Sequence, residues 1–244
     1  QVRLLDHFGI RRLHGAVGGS LGGMMCLSLA TRYPDRVRIV APMASGHYVD
    51  SLQRIINFEQ IFALEQDPCF NGGNYYDGPH PESGVIMARM ISHKTFVSLR
   101  TLEHRARDEI VQREDDRNFY HITHAIESYM LHQGRKFTRR FDANTYLRIL
   151  DAWQTFELFV EDDPGADPVS ILKRCRDQRY MVFSIDSDVC FYPEQQQEMT
   201  KLLSKAGVPH RRITIHSDKG HDAFLLEPEL LTPQLAATFE RAWD

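Results

Sequence analysis

The stretch LHGAVGGSLGGMMCLSLATR, residues 13–32, decides the fold. Leu13 to Val17 is a short apolar run suited to a buried parallel strand. Residues 18–23 are a glycine-rich turn, and residues 24–32 read as an apolar helix stopped by Tyr33-Pro34. Upstream, QVRLLDHF reads as the end of a helix that Gly9 terminates. Downstream, residues 37–41 form a second buried strand before Pro42. Helix, strand, turn, helix and strand in that order predict a parallel α/β sheet.

Within the turn, Gly18-Gly19-Ser20-Leu21-Gly22 matches G-x-S-x-G. A serine on so sharp a turn projects its hydroxyl from the top of the sheet. The flanking glycines are expected to leave room where Cβ atoms would collide with the neighbouring strand and helix. The N–H of Leu21 opens the helix and faces a developing oxyanion. Five residues alone are weak evidence, because a structural glycine turn can match by chance. The apolar strand before Ser20 and the apolar helix after it favour a nucleophile.

A nucleophilic serine needs a base, and the base an orienting carboxylate. The acid is expected after a late strand, and residues 179–185, RYMVFSI, read as that strand. Asp186 and Asp188 follow it. A helix over 193–206 and a strand over 211–216 come next, and His221 follows Gly220 in SDKGHD. His216 is the competing base, at the end of its strand. A closing helix is expected over 233–243.

The middle of the chain reads differently. Residues 50–159 show no convincing strand, and amphipathic helices are expected at 51–64, 84–91, 101–113, 121–133 and 143–159. Between the first two lies the turn-rich DPCFNGGNYYDGPHPESG. Residues 50–159 are therefore expected to form a helical cap over the carboxyl edge of the sheet. Residues 1–49 and 160–244 make up the core.

The bulk composition narrows the function. The chain has 244 residues, 42% hydrophobic and 25% charged, with a net charge of −4. That suits one large domain, or a core carrying an insertion. Mean hydropathy is −0.40, which favours amphipathic helix over buried sheet. No basic stripe interleaves with aromatics, so nucleic acid is not an expected partner. No run reaches the length of a membrane span, and the first residues do not resemble a signal peptide. The cysteines at 26, 69, 175 and 190 have no CxxC spacing and are expected to be free thiols in a reducing cytoplasm. His121 and His124 share a helix face, but no third metal ligand is evident, so no metal is expected.

The sequence resembles the homoserine O-acetyltransferases, the acyltransferase branch of the α/β-hydrolases. The resemblance rests on LLDHFGI, GGSLGGM, DPCFNGGNYY, ARMISH, FDANTYL, SDVCFYPEQ and GHDAFLLE, in family order across nearly the whole chain. It implies an α/β-hydrolase fold with a helical cap. It assigns Ser20 as nucleophile, Asp188 rather than Asp186 as triad acid, and His221 as general base. Acetyl-CoA would acylate Ser20, and the γ-hydroxyl of homoserine would take the acyl group in a ping-pong reaction with no bound cofactor. The resemblance further implies methionine biosynthesis, a cytoplasmic location and a homodimer formed through the cap.

Further residues carry over. Arg89 matches an arginine that would clamp the substrate carboxylate through paired hydrogen bonds. A cap-surface salt bridge is its plainer role. Asp222 matches an acid that would receive the substrate ammonium, and a helix-cap carboxylate is its plainer role. Phe96 stands where the family commonly places a tunnel tyrosine. The ring remains and the hydroxyl is lost, which leaves serine or another alcohol open as acceptor. Leu21 replaces the usual methionine at nearly constant volume. With water in place of the alcohol, the same triad would make an esterase.

Only about a dozen residues precede the nucleophile strand, where the family has several strands and an oxyanion loop. The expectation is therefore an open apolar sheet edge, one missing oxyanion donor and little activity for this stretch by itself. An N-terminal segment or separate chain would complete the fold. A non-enzymatic scaffold role is the remaining alternative.

Overall fold

A computed structural model describes residues 1–108, 122–160 and 165–240. In chain order the elements are α1 (Val2–His7), β1 (Leu13–Gly19), α2 (Leu21–Arg32), β2 (Val37–Met43), α3 (Ser51–Glu65), α4 (Glu82–Phe96), α5 (Leu99–Asp108) and α6 (Ala125–Thr138). There follow α7 (Ala143–Gln154), α8 (Pro168–Lys173), β3 (Arg179–Ile185), α9 (Pro193–Ala206), β4 (His210–Ile215), α10 (Ala223–Leu226) and α11 (Thr232–Glu240).

Among the described residues, four strands form one parallel sheet in the order β1-β2-β3-β4. Gly15 pairs with Ile39, Met43 with Phe183, and Ser184 with Thr214. Val37, Ile39, Val40 and Ala41 of β2 are fully buried, as a strand covered on both faces requires. β1 ends two residues later than its apolar run, at Gly19, and β2 runs on through Pro42 to Met43. The two strands pair to that point, Gly18 with Pro42 and Gly19 with Met43. One buried cluster joins Ala41, Met43, Met181, Phe183, Ile185 and Ile215 of the strands to Ala223 and Leu231.

Contacts divide the chain into two compact units. The first holds 1–48, 157–217 and 221–244 and contains the sheet. The second holds 49–156 with 218–220, and its regular elements among the described residues are helices. Tyr48 and Glu157, the last and first residues of the two stretches of the first unit that flank the insertion, form an isolated antiparallel bridge. The ends of the expected helices at 113 and 121 lie outside the described residues, as does the end of the closing helix at 243.

In the second unit, α3 is amphipathic in an unexpected sense. Asp50 caps it through a capping box with Gln53. Its buried face carries Gln53, Asn57, Gln60 and Leu64. Leu52, Ile55, Phe58 and Phe62 are exposed instead. On this face Gln60 is paired: Tyr146 of α7 donates to Gln60 Oε1 at 2.6 Å and lies 3.1 Å from Ser92 Oγ of α4, whereas the Asn57 amide has no hydrogen-bond partner. The turn-rich segment is fixed at both ends. Asp67 accepts from the N–H of Cys69 at 2.8 Å and of Gly84 at 2.7 Å. Tyr75 donates to Asp142, the residue that caps α7 by accepting from Thr145 N.

Candidate active site

Ser20 sits between β1 and α2 with φ 55° and ψ −126°, a region that L-residues rarely occupy. The surroundings over-determine it. Ser20 N–H donates to Met43 O at 2.9 Å, and Gly23 N–H donates to Ser20 O at 2.9 Å. A Cβ at Gly18 would fall 2.3 Å from the carbonyl carbon of Gly22, so the turn closes only over a glycine. Gly19 is crowded too, by Phe224, while the crowding expected at Gly22 is displaced. Nothing lies within 4 Å of a Cβ at Gly22, whereas Gly23, one residue beyond the motif, would meet Ser45 Cβ at 2.5 Å. The collision at Gly18 is with the turn itself, and at Gly23 the helix closely approaches the loop after β2. Leu21 is the first residue of α2, so its N–H has no helical carbonyl to pair with.

The two aspartates after β3 take different partners. Asp188 is buried, and its Oδ2 lies 2.8 Å from Nδ1 of His221, itself buried. The other oxygen, Oδ1, accepts from the N–H groups of Cys190 at 2.8 Å and Phe191 at 2.9 Å. Asp186 instead bonds Nδ1 of His216 at 2.8 Å and the N–H of Ser217 at 3.1 Å, on the surface. Burial acts to raise the Asp186 carboxyl, but these hydrogen bonds outweigh it and hold it below the usual range. Both competing residues are thus taken up by each other, outside the buried pair. At this distance the Asp188 carboxylate accepts a proton held on Nδ1 of His221.

Two rings that carried no role in the sequence flank this imidazole. Phe191 stacks on His221 with centroids 5.5 Å apart and planes at 26°. Phe224 meets it edge-on at 5.5 Å and 83°. Both lie in segments whose pattern was visible, SDVCFYPEQ and GHDAFLLE, but no local signal marks a ring as packing on a distant histidine. Asp222 occupies the N-cap position of α10, yet its side chain makes no capping hydrogen bond there.

In the second unit, Arg89 and Phe96 come together. The half-buried Arg89 guanidinium lies 5.3 Å from the Phe96 ring centroid and 5.0 Å from that of Phe137. Its Nη2 is 3.4 Å from Nδ1 of His93. Burial, with the neighbouring charges of Arg89 and Arg105, lowers the His93 imidazole to about 4. A guanidinium held between rings presents its edge in a fixed plane, the form that suits a carboxylate.

No group of three or more His, Cys, Asp or Glu side chains among the described residues could hold a metal ion. His124 is the N-cap residue of α6, and His121 lies outside the described residues. None of the four cysteines is in a disulfide. Among the described residues no helix is long and apolar enough to cross a membrane.

Comparison with known proteins places this geometry. The family model described as the alpha/beta hydrolase fold matches residues 1–228. The homoserine O-acetyltransferase of Solidesulfovibrio magneticus is 36% identical over 251 aligned positions, covering 99% of this chain and 61% of that protein. That of Rhodospirillum rubrum is 38% identical over 236, covering 94% and 58%. The crystal structure of homoserine O-acetyltransferase from Bacillus anthracis superposes with a TM-score of 0.88 at 19% identity, over 99% of this chain and 63% of that one. The chain thus spans about three fifths of the length of these relatives. The parallel sheet, the strained serine between β1 and α2, and the family match together identify this chain as a member of the α/β-hydrolase fold family.

Proposed function

We propose that this chain carries the catalytic triad of an O-acyltransferase that moves an acetyl group from acetyl-CoA to the hydroxyl of homoserine. The observation that carries the reading is the buried Asp188–His221 pair, set in a chain 36% identical to a named homoserine O-acetyltransferase. Ser20, Asp188 and His221 also follow one another in the order the fold uses.

His221 Nε2 takes the Ser20 proton as Oγ attacks the thioester carbonyl. The N–H of Leu21 donates to the oxyanion, the C–S bond breaks, and the thiolate leaves with the proton from His221. Homoserine then enters. His221 takes the proton of its γ-hydroxyl, that oxygen attacks the acyl-serine, and Ser20 leaves with the proton returned. Arg89, Asp222 and Phe96 keep the substrate-binding roles that the family resemblance implies for them.

Acetyl-CoA and the acceptor supplied together to the full-length natural protein test this reading. The expected result is thiol release that depends on homoserine, together with an O-acetylated product. Release that is indifferent to homoserine and to serine, with acetate as product, would make the enzyme an esterase instead.

The exposed stripe Leu52, Ile55, Phe58 and Phe62 on α3 supports a homodimer formed through the cap. A row of large apolar side chains on one helix face is costly to leave in water.

A further inference from the structure

We infer that Phe224 is a positioning residue of the triad, its ring acting as the spacer that fixes His221 relative to the nucleophile turn. The inference rests on the triad proposed above and adds a residue that touches no reacting atom.

The hydrogen bond to Asp188 engages His221 at Nδ1. Tilt of the imidazole about that bond would swing Nε2 away from Ser20. Phe191 removes this freedom on one face by stacking, and Phe224 removes it from the side by meeting the imidazole at 83°. The two rings differ in what lies behind them. Phe191 belongs to the loop that binds Asp188, since its own N–H donates to Asp188 Oδ1. Phe224 reaches the other way, to the residue before the nucleophile.

A Cβ built at Gly19 would fall 2.4, 2.7 and 2.8 Å from Cε2, Cδ2 and Cζ of Phe224, its three nearest atoms. Gly19 is not among the glycines of positive φ, so alanine fits its backbone and its methyl would meet the ring first. Phe224 also packs against the buried cluster of Met43, Phe183 and Ile215. A ring pressed from Gly19 therefore has packed core on one side and His221 on another. Phe224 is half-buried, and on its packed sides a displacement passes on to the next side chain instead of being absorbed. One ring touches Gly19, one residue before the nucleophile, and the base, and so sets the gap between them.

The experiment uses the full-length natural protein and reads the rate at which a fluorophosphonate labels Ser20, with kcat and KM for a small aryl acetate beside it. Neither readout depends on the acceptor. Phe224→Ala is expected to slow labelling about 10- to 100-fold and to lower kcat with KM nearly unchanged. Phe224→Tyr should retain most of the rate, and Phe224→Leu carries the test if the alanine variant does not fold. Gly19→Ala should be slowed to a similar degree, and Gly19→Ala/Phe224→Leu should label faster than Gly19→Ala alone. Phe224→Leu and Phe224→Ala labelling within about twofold of wild type would overturn the inference while leaving the triad intact. So would a double variant no faster than Gly19→Ala. A wild type that is not labelled at Ser20 would overturn the triad and the inference with it.

Discussion

At the scale of single residues, the strain at Ser20 is the feature around which the others are arranged. A φ of 55° and ψ of −126° cost about 1–3 kcal/mol, which the N–H bond to Met43 and the packed turn offset. The two aspartates after β3 then give a sharp contrast. Asp188→Asn should lower acylation of Ser20 by about 10⁴-fold, because the amide favours the wrong imidazole tautomer. Asp186→Asn should leave the rate within about threefold, since its partner is the exposed His216. Single-turnover acylation of both variants checks the pair, and equal losses would contradict the assignment. Arg89→Lys should raise the acceptor KM about tenfold or more while changing kcat less, because an ammonium cannot copy the planar fork held between Phe96 and Phe137. Steady-state kinetics with varied homoserine reads this, and an unchanged KM would remove Arg89 from the substrate site. Order along the chain made Ser20 and His221 legible, and a family pattern chose Asp188. Phe191 and Phe224 were not legible, because their contacts with His221 are set by tertiary packing and not by spacing.

At the scale of elements, the strands show how far hydrophobic pattern reaches. Residues 179–185 form β3 over the very span expected, because its buried centre, Tyr180 to Phe183, is a continuous hydrophobic run. β1 and β2 outrun their expected ends, since ladder pairing carries Gly18, Gly19, Pro42 and Met43 beyond the apolar stretch. α4 outruns its expected bounds of 84–91 at both ends, from Glu82 to Phe96; near its start Asp67 accepts from Gly84 N, a contact that sequence spacing does not reveal. α3 is the larger surprise, with Gln53, Asn57 and Gln60 turned inward and four large apolar residues outward. At α7, Asp142 caps the helix and takes the Tyr75 hydroxyl, so Asp142→Ala removes two roles at once. That substitution should cost about 2 kcal/mol, the sum of a lost cap and a lost charged hydrogen bond. Urea denaturation measures it, and a loss below about 0.5 kcal/mol would show the segment to be held elsewhere.

At the scale of the whole molecule, acid sensitivity follows from buried histidine. Burial lowers His47 to about 4 against the weaker pull of Glu198, and its Nδ1 has no hydrogen-bond partner. The native imidazole is neutral, whereas the unfolded one protonates near its ordinary value. The unfolded chain therefore holds more protons between the ordinary value and about 4, and stability falls as pH drops through that window. The loss from His47 between pH 7 and pH 5 should be about 2 kcal/mol. Denaturation at the two pH values, in wild type and His47→Gln, measures it, and an equal slope in both would contradict this origin. The α3 stripe makes a separate prediction. Phe58→Glu/Phe62→Glu should turn a dimer into a monomer in light scattering, and a dimer that survives the change would place the interface elsewhere.

The central claim is that Ser20 accepts the acyl group with His221 as its base and Asp188 behind it. Mass spectrometry of the Ser20 peptide, after brief exposure of the full-length protein to acetyl-CoA without acceptor, tests it most directly. The triad predicts acetyl on Ser20 in the wild type, its discharge on adding homoserine, and none in His221→Ala. Acetyl found on another residue, or equal acetylation of Ser20 in wild type and His221→Ala, would contradict it.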